Sequence, residues 1–161
     1  MSQTSISSQD SSIVHPNAKL VAFSVGQLTL AVRIEQVDKV VNLPTVYGSG
    51  LKPVGLAQVD EHNITVIDLQ RRLFGITAES MPTPYLILLH TRSGEGIGIP
   101  VSDTPMLIEV PTNLIRSLPA SYRRADTLEI ASHIAIISEA EQTRTLFLLD
   151  VEQLSSSIQI H

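Results

Sequence analysis

A set of apolar positions in this chain occurs twice. Leu28, Leu30, Val32, Val37 and Val41 fall on Ile97, Ile99, Val101, Met106 and Val110 at one constant offset. Ile64-Thr65-Val66-Ile67-Asp68-Leu69 falls on Leu146-Phe147-Leu148-Leu149-Asp150-Val151 at a larger one, so an insertion separates the two blocks. Leu28, Leu30 and Val32, like Ile97, Ile99 and Val101, are spaced by two residues, the period of a half-buried strand. Two copies of one small β unit are therefore expected.

The strands can be placed on this frame. Val21, Phe23 and Val25 alternate with Ala22 and Ser24, then Gly26-Gln27 turns the chain into Leu28, Leu30 and Val32, which is a hairpin. Ile34 and Val37 give one helical turn, and a short strand follows to Leu43. Val54 to Val59 and Ile64 to Ile67 are strands about the polar tip Asp60-Glu61-His62-Asn63. Leu69, Arg72 and Leu73 begin a short helix that Gly75 stops. In the second half, strands are expected over Tyr85 to Leu89, Ile97 to Val101 and Met106 to Val110. A helical turn is expected from Pro111 to Leu118. A last strand pair, Ile130 to Ile137 and Thr145 to Leu149, flanks the loop Ser138 to Thr143, and a final helix begins at Val151. Residues 1–17, rich in Ser and Gln, read as a flexible tail, 18–155 as one domain and 156–161 as a C-terminal tail.

Asp68 and Asp150 each stand between a buried strand and a helical turn. There a carboxylate accepts hydrogen bonds from free helix amides and suits the positive end of the helix dipole. A catalytic acid has no reason to occupy both repeat positions, so capping is the better reading. Composition narrows the rest. The chain has 161 residues and no cysteine, which removes disulfides, thiolate metal sites and a Cys nucleophile. The net charge is −5 and aromatics make up 4%, a poor basis for binding nucleic acid. Gly48-Ser49-Gly50 lacks the spacing of a nucleophile elbow. Gly94-Glu95-Gly96-Ile97-Gly98 precedes a strand and not the helix of a dinucleotide site. The five histidines form no paired ligand motif, and a metal site needs three or four converging groups. No apolar run reaches the length of a membrane span, and the N-terminus lacks a secretory layout. A cytoplasmic protein with no cofactor, no metal and no catalytic residue is expected. Small β-barrels with free edges suit partner binding.

The stretches "FSVGQLTLAVRIEQVDKVV" (23–41), "VGLAQVDEHNITVIDLQRRLFG" (54–75), "YLILLHTRSGEGIGIPV" (85–101) and "TLFLLDVEQL" (145–154) resemble the CheW-like domain family of bacterial chemotaxis. The resemblance implies a mainly β fold of two interleaved five-stranded SH3-like barrels with short helices, sharing an apolar core. It implies a non-catalytic adaptor coupling a chemoreceptor to a CheA-type histidine kinase. The partners would be the kinase's regulatory domain, on the barrel edges, and a methyl-accepting receptor's hairpin tip, in a groove between the barrels. The family motif reads Gly-x-x-Asn-Leu-Arg-Gly, three residues, then Pro-Val-x-Asp-Leu. Gly55, Val66, Asp68 and Leu69 match it. Gln58, Asp60, Glu61 and Thr65 replace its Asn, Arg, Gly and Pro, and Ser102 replaces a usual Asp.

By this resemblance Val37, Gly55, Gln58 and Asp60 are the partner-binding candidates. Core packing explains Val37 equally well, and a backbone requirement is the better account of Gly55. The altered motif points to a divergent member with changed partners, in type IV pilus motility or phototaxis. The alternatives are a CheW-like protein that binds another regulator, and a small barrel enzyme or ligand carrier using Asp60, His62 or Asp68.

Overall fold

The computed structural model describes residues 16–48, 52–75, 82–119, 121 and 129–158. Its strands are β1 (Asn17–Val25), β2 (Leu28–Arg33), β3 (Val37–Asn42), β4 (Val54–Val59), β5 (His62–Ile67), β6 (Tyr85–His90), β7 (Gly96–Val101), β8 (Met106–Pro111), β9 (Ile115–Ser117), β10 (Ala131–Glu139) and β11 (Gln142–Leu149). Two helices follow repeat-equivalent strands, α1 (Leu69–Phe74) after β5 and α2 (Val151–Ile158) after β11. β1 starts at Asn17, the last residue of the expected N-terminal tail, and α2 extends to Ile158; the rest of the two expected tails lies largely outside the described residues.

The strands form a five-stranded sheet, β3-β6-β7-β5-β4, and a six-stranded one, β8-β1-β2-β11-β10-β9. Set against the repeat, this order has a simple meaning. The hairpin β1–β2 opens the first copy and β6–β7 opens the second. Each hairpin lies in the sheet of the other copy, joined to it by a parallel pair, β2 with β11 and β7 with β5. The copies have exchanged their first hairpins, and that exchange is how the two barrels interleave.

Both sheets close through the chain that follows their third strand. After β3, Tyr47 exchanges two backbone hydrogen bonds with Leu56 of β4, at 2.8 and 2.7 Å. After β8, a 3-10 turn at Thr112–Leu114 leads into β9, which pairs with β10. Sequence reading expected a helical turn through to Leu118, and 115–117 is a strand instead. Its backbone partners come from β10, and no local pattern announces them. The tip of the last hairpin is also tighter than expected. It is the two-residue turn Ala140-Glu141, with Ser138 and Thr143 already paired across the strands.

Alternation sorts the side chains into three cores. Leu86 and Leu88 point into the first barrel with Ala57, Ile64 and Val66. Leu20, Ala31, Val110, Ala135, Leu146 and Leu148 fill the second. The largest core lies between the barrels and takes Phe23, Leu30, Val32, Ile67, Leu69, Ile87, Leu89, Ile99, Leu149 and Leu154, among others. A strand such as β6 is therefore apolar on both faces, which explains the unbroken run Leu86-Ile87-Leu88-Leu89. Arg72 of α1 adds a polar clasp across the same junction. It donates to Ser157 Oγ of α2 at 2.8 Å and to Glu129 at 3.4 Å.

Candidate functional site

β4 carries the altered motif, and its alternation divides that motif in two. Gly55 and Ala57 face inward and are buried, while Leu56 and Gln58 face out. Gly55 has no room for a side chain. A Cβ there would stand 2.6 Å from Val46 Cγ1 and 2.9 Å from the Tyr47 carbonyl oxygen. The missing side chain lets the segment after β3 lie directly on β4, where the Tyr47–Leu56 bonds close the barrel.

That closure leaves two large apolar side chains in solvent. Tyr47 is 70% exposed and Leu56 56%. Val46 and Val40 are exposed to a smaller degree. A paired tyrosine and leucine in the open on a barrel edge have the composition of an interface centre rather than of a solvated strand.

The polar end of this face is the β4–β5 turn. Asp60 and Glu61 form it with φ of 52° and 68°, the left-handed region that glycine prefers. Asp60 pairs with Lys39 of β3 and so ties the two edges of the first sheet together. The Lys39 hydrogen bond, reinforced by its charge, holds the Asp60 carboxyl below its ordinary pKa. His62 Nδ1 lies 2.9 Å from the Asp60 carbonyl oxygen. A second clasp on the same strand joins Asp38 to His90 Nδ1 at 2.7 Å.

Of the four positions singled out from sequence, Gly55, Gln58 and Asp60 lie along this one strand and turn. Val37 does not join them. It sits opposite Leu89 and packs, half-buried, against the core between the barrels. Tyr47 and Leu56 were missed. Leu56 is legible in hindsight, since Gly55 and Ala57 flank it and alternation must turn it outward. Nothing local marks Tyr47, because its partner is reached only by closing the barrel.

Asp68 and Asp150 occupy equivalent places. The Asp68 carboxylate accepts from the Arg71 amide at 3.1 Å, and that of Asp150 from the Gln153 amide at 3.0 Å. The acids and base weighed for chemistry do not converge. Asp60 and His62 stand at the tip of the β4–β5 hairpin and Asp68 beyond its other end, with six-residue β5 between, on the order of 20 Å of strand. A 310 Å³ cavity does lie beside Asp68, lined by Leu43, Val46, Pro53, Val54 and Arg71 among others. Asp68 is the acid among its described lining residues, and its carboxylate accepts from the Arg71 amide. No group of three metal-ligating side chains occurs among the described residues, and no helix among them is long and apolar enough to cross a membrane.

The sequence profile of the CheW-like domain matches residues 19–159. No curated protein matches the chain. Among solved structures, the scaffolding protein TtCheW from Thermoanaerobacter tengcongensis is similar, with a TM-score of 0.66 over 83% of this chain and 89% of that one. The two are 20% identical, so the likeness is one of fold.

Proposed function

We propose that this chain, which belongs to the CheW-like domain family, is a non-catalytic scaffold that couples a chemoreceptor to a CheA-type histidine kinase. The observation that carries the reading is the exposed Tyr47–Leu56 pair on the motif strand. A kinase regulatory domain of the same fold offers a barrel edge of its own, and two apolar edges meet with little reorganisation. The receptor's hairpin tip falls to the groove between the barrels, near Val37.

The turn beside the apolar pair shapes the choice of partner. An acid stands at Asp60, where the family carries arginine, with Lys39 against it. A partner built for an exposed arginine meets a carboxylate here, and like-charge contacts are a strong means of exclusion. The scaffold therefore serves a kinase whose facing surface is not acidic, and discriminates against one that is. The same charge reversal is what favours a second reading, a different regulator as the partner.

Titration calorimetry against the regulatory domain of each CheA-type kinase of the same organism tests this. Binding in the micromolar range is expected, about −8 kcal/mol. Leu56→Ser and Tyr47→Ala should each weaken it by roughly tenfold or more while leaving the circular dichroism spectrum unchanged. Binding that neither substitution alters would refute the assigned face, and no binding to any of the kinases would refute the coupling role.

A further inference from the structure

Each sheet ends in two edge strands, β3 and β4 in the first and β8 and β9 in the second. An open edge offers backbone groups to any other strand, and folded chains blunt it with charge, cover or short length. Three of these edges are blunted. β3 carries Asp38 and Lys39, engaged with His90 and Asp60. β4 is covered by Tyr47, and β9 is three residues long. β8 differs. It opens on Met106-Leu107-Ile108, without a charge, and Met106 is 60% exposed and Leu107 59%.

The ladder fixes which backbone groups of β8 are open. Among the described residues β8 pairs only with β1. The Thr112 amide donates to the Pro16 carbonyl at 3.0 Å, so these two residues form a hydrogen-bonded pair. Such pairs alternate with non-bonded ones along an antiparallel ladder, so Val110, Ile108 and Met106 turn their backbone groups to β1. The tight β1–β2 hairpin gives the same phase, because Val25 and Leu28 flank its two-residue turn and bond each other. Leu107 and Glu109 therefore point their N–H and C=O groups away from β1. Pro105 directly precedes the strand and Pro111 ends it, and neither has an N–H. The open edge is a window of two donors between two prolines.

We propose that β8 pairs with β8 of a second copy of this chain, antiparallel about a two-fold axis at Leu107, so that two six-stranded sheets become one. In this register Leu107 stands opposite Leu107 of the second copy, and the two exchange a pair of backbone hydrogen bonds. The Glu109 amide of each copy donates to the Pro105 carbonyl of the other. Both donors of the window are satisfied, and the proline opposite leaves no N–H unpaired. Met106 meets Ile108 of the second copy, apolar against apolar. Charge selects the same register. Two chains of net charge −5 repel, so they meet where acid is scarce. Glu109 is the acid of β8 and lies beside Lys19 of its own β1. In the dimer the two Glu109 residues are four positions apart along the strands, roughly 13 Å. An axis at Glu109 would set the two carboxylates face to face, and one at Ile108 would set Glu109 against Leu107. The contact shares no residue with the Tyr47–Leu56 face, and its failure would leave the coupling role untouched.

The chain has no cysteine, so one introduced thiol reports on the pairing. Opposed Cα atoms in a hydrogen-bonded antiparallel pair are about 5.5 Å apart, within disulfide reach. Under mild oxidation the full chain carrying Leu107→Cys should form a linked dimer roughly tenfold faster, or more, than one carrying Glu109→Cys, whose thiols stand too far apart. Sedimentation velocity of the unmodified chain should show a monomer–dimer equilibrium with a Kd of roughly 10 μM to 1 mM, the weak class to which so small a contact belongs. Leu107→Lys places a charge on the edge and should weaken association by roughly tenfold or more, with an unchanged circular dichroism spectrum. Exchange of the Leu107 and Glu109 amides should slow as concentration is raised. The proposal is overturned if the chain is monomeric throughout that range, if Glu109→Cys links as fast as Leu107→Cys, or if Leu107→Lys associates as before. Protection of the two amides that ignores concentration would show the chain covering its own edge, and would overturn the proposal too.

Discussion

Replacing Gly55 by alanine adds one methyl group where the first barrel closes. That methyl meets two neighbours, Val46 Cγ1 at 2.6 Å and the Tyr47 carbonyl oxygen at 2.9 Å. The first is the end of a side chain and can rotate away. The second is backbone, fixed by the paired Tyr47–Leu56 hydrogen bonds at 2.8 and 2.7 Å. Relief therefore means lifting the segment after β3 off β4. Overpacking of this kind costs about 1–3 kcal/mol, and weakening two backbone bonds adds roughly 0.5–1.5 kcal/mol each. A loss of about 2–6 kcal/mol is expected, read as a lower urea midpoint at unchanged slope. Hydrogen exchange adds a local readout, since the Tyr47 and Leu56 amides should lose protection ahead of the core strands. Val46→Ala in the same background should restore only part of the loss, because the carbonyl contact remains. A Gly55→Ala loss below about 0.5 kcal/mol would refute the close-approach account. Full rescue by Val46→Ala would show that the side chain, and not the backbone, is the obstacle.

Asp68→Ala and Asp150→Ala should each cost about 1 kcal/mol by urea denaturation, with Asn retaining most of the stability and kinase binding kept in the folded fraction. Equal binding loss at unchanged stability would overturn the capping role. Glu61 sits at φ 68°, so Glu61→Gly should stabilise by about 1 kcal/mol, and a destabilised variant would contradict the turn geometry. Asp60 has its folded-state pKa lowered by Lys39, so the stability linked to it is present above the ordinary carboxyl pKa and is lost as pH falls through the lowered value. Lys39→Met should move the Asp60 titration, followed by carboxyl NMR, up toward the ordinary value, and an unmoved curve would rule out the clasp. Exchanging the pair as Lys39→Asp with Asp60→Lys should keep the two edges joined, whereas either change alone should expose the β4–β5 tip to faster amide exchange.

The strands, the repeat and the two caps were legible because each is written in neighbouring residues. Period-2 runs such as Leu28 to Val32 fix which face a side chain takes, and an aspartate ahead of Leu69 or Val151 finds its amide three residues on. The family motif added the strand on which Gly55, Gln58 and Asp60 lie, while the alternative weighed for Val37, core packing, is where the structure puts it, half-buried against the central core. What the sequence did not disclose are the pairings between distant residues. β9 was read as helix because its bonds come from β10, and Tyr47 and Lys39 gave no sign of Leu56 and Asp60. The exchange of hairpins is of the same kind. The apolar pattern of β1–β2 matches that of β6–β7, so either hairpin suits either sheet by pattern alone. The central core, which needs both hairpins to present a second apolar face between the barrels, is satisfied by the crossed arrangement. Local chemistry determined the elements of this protein, and only burial between them decided which element completes which barrel.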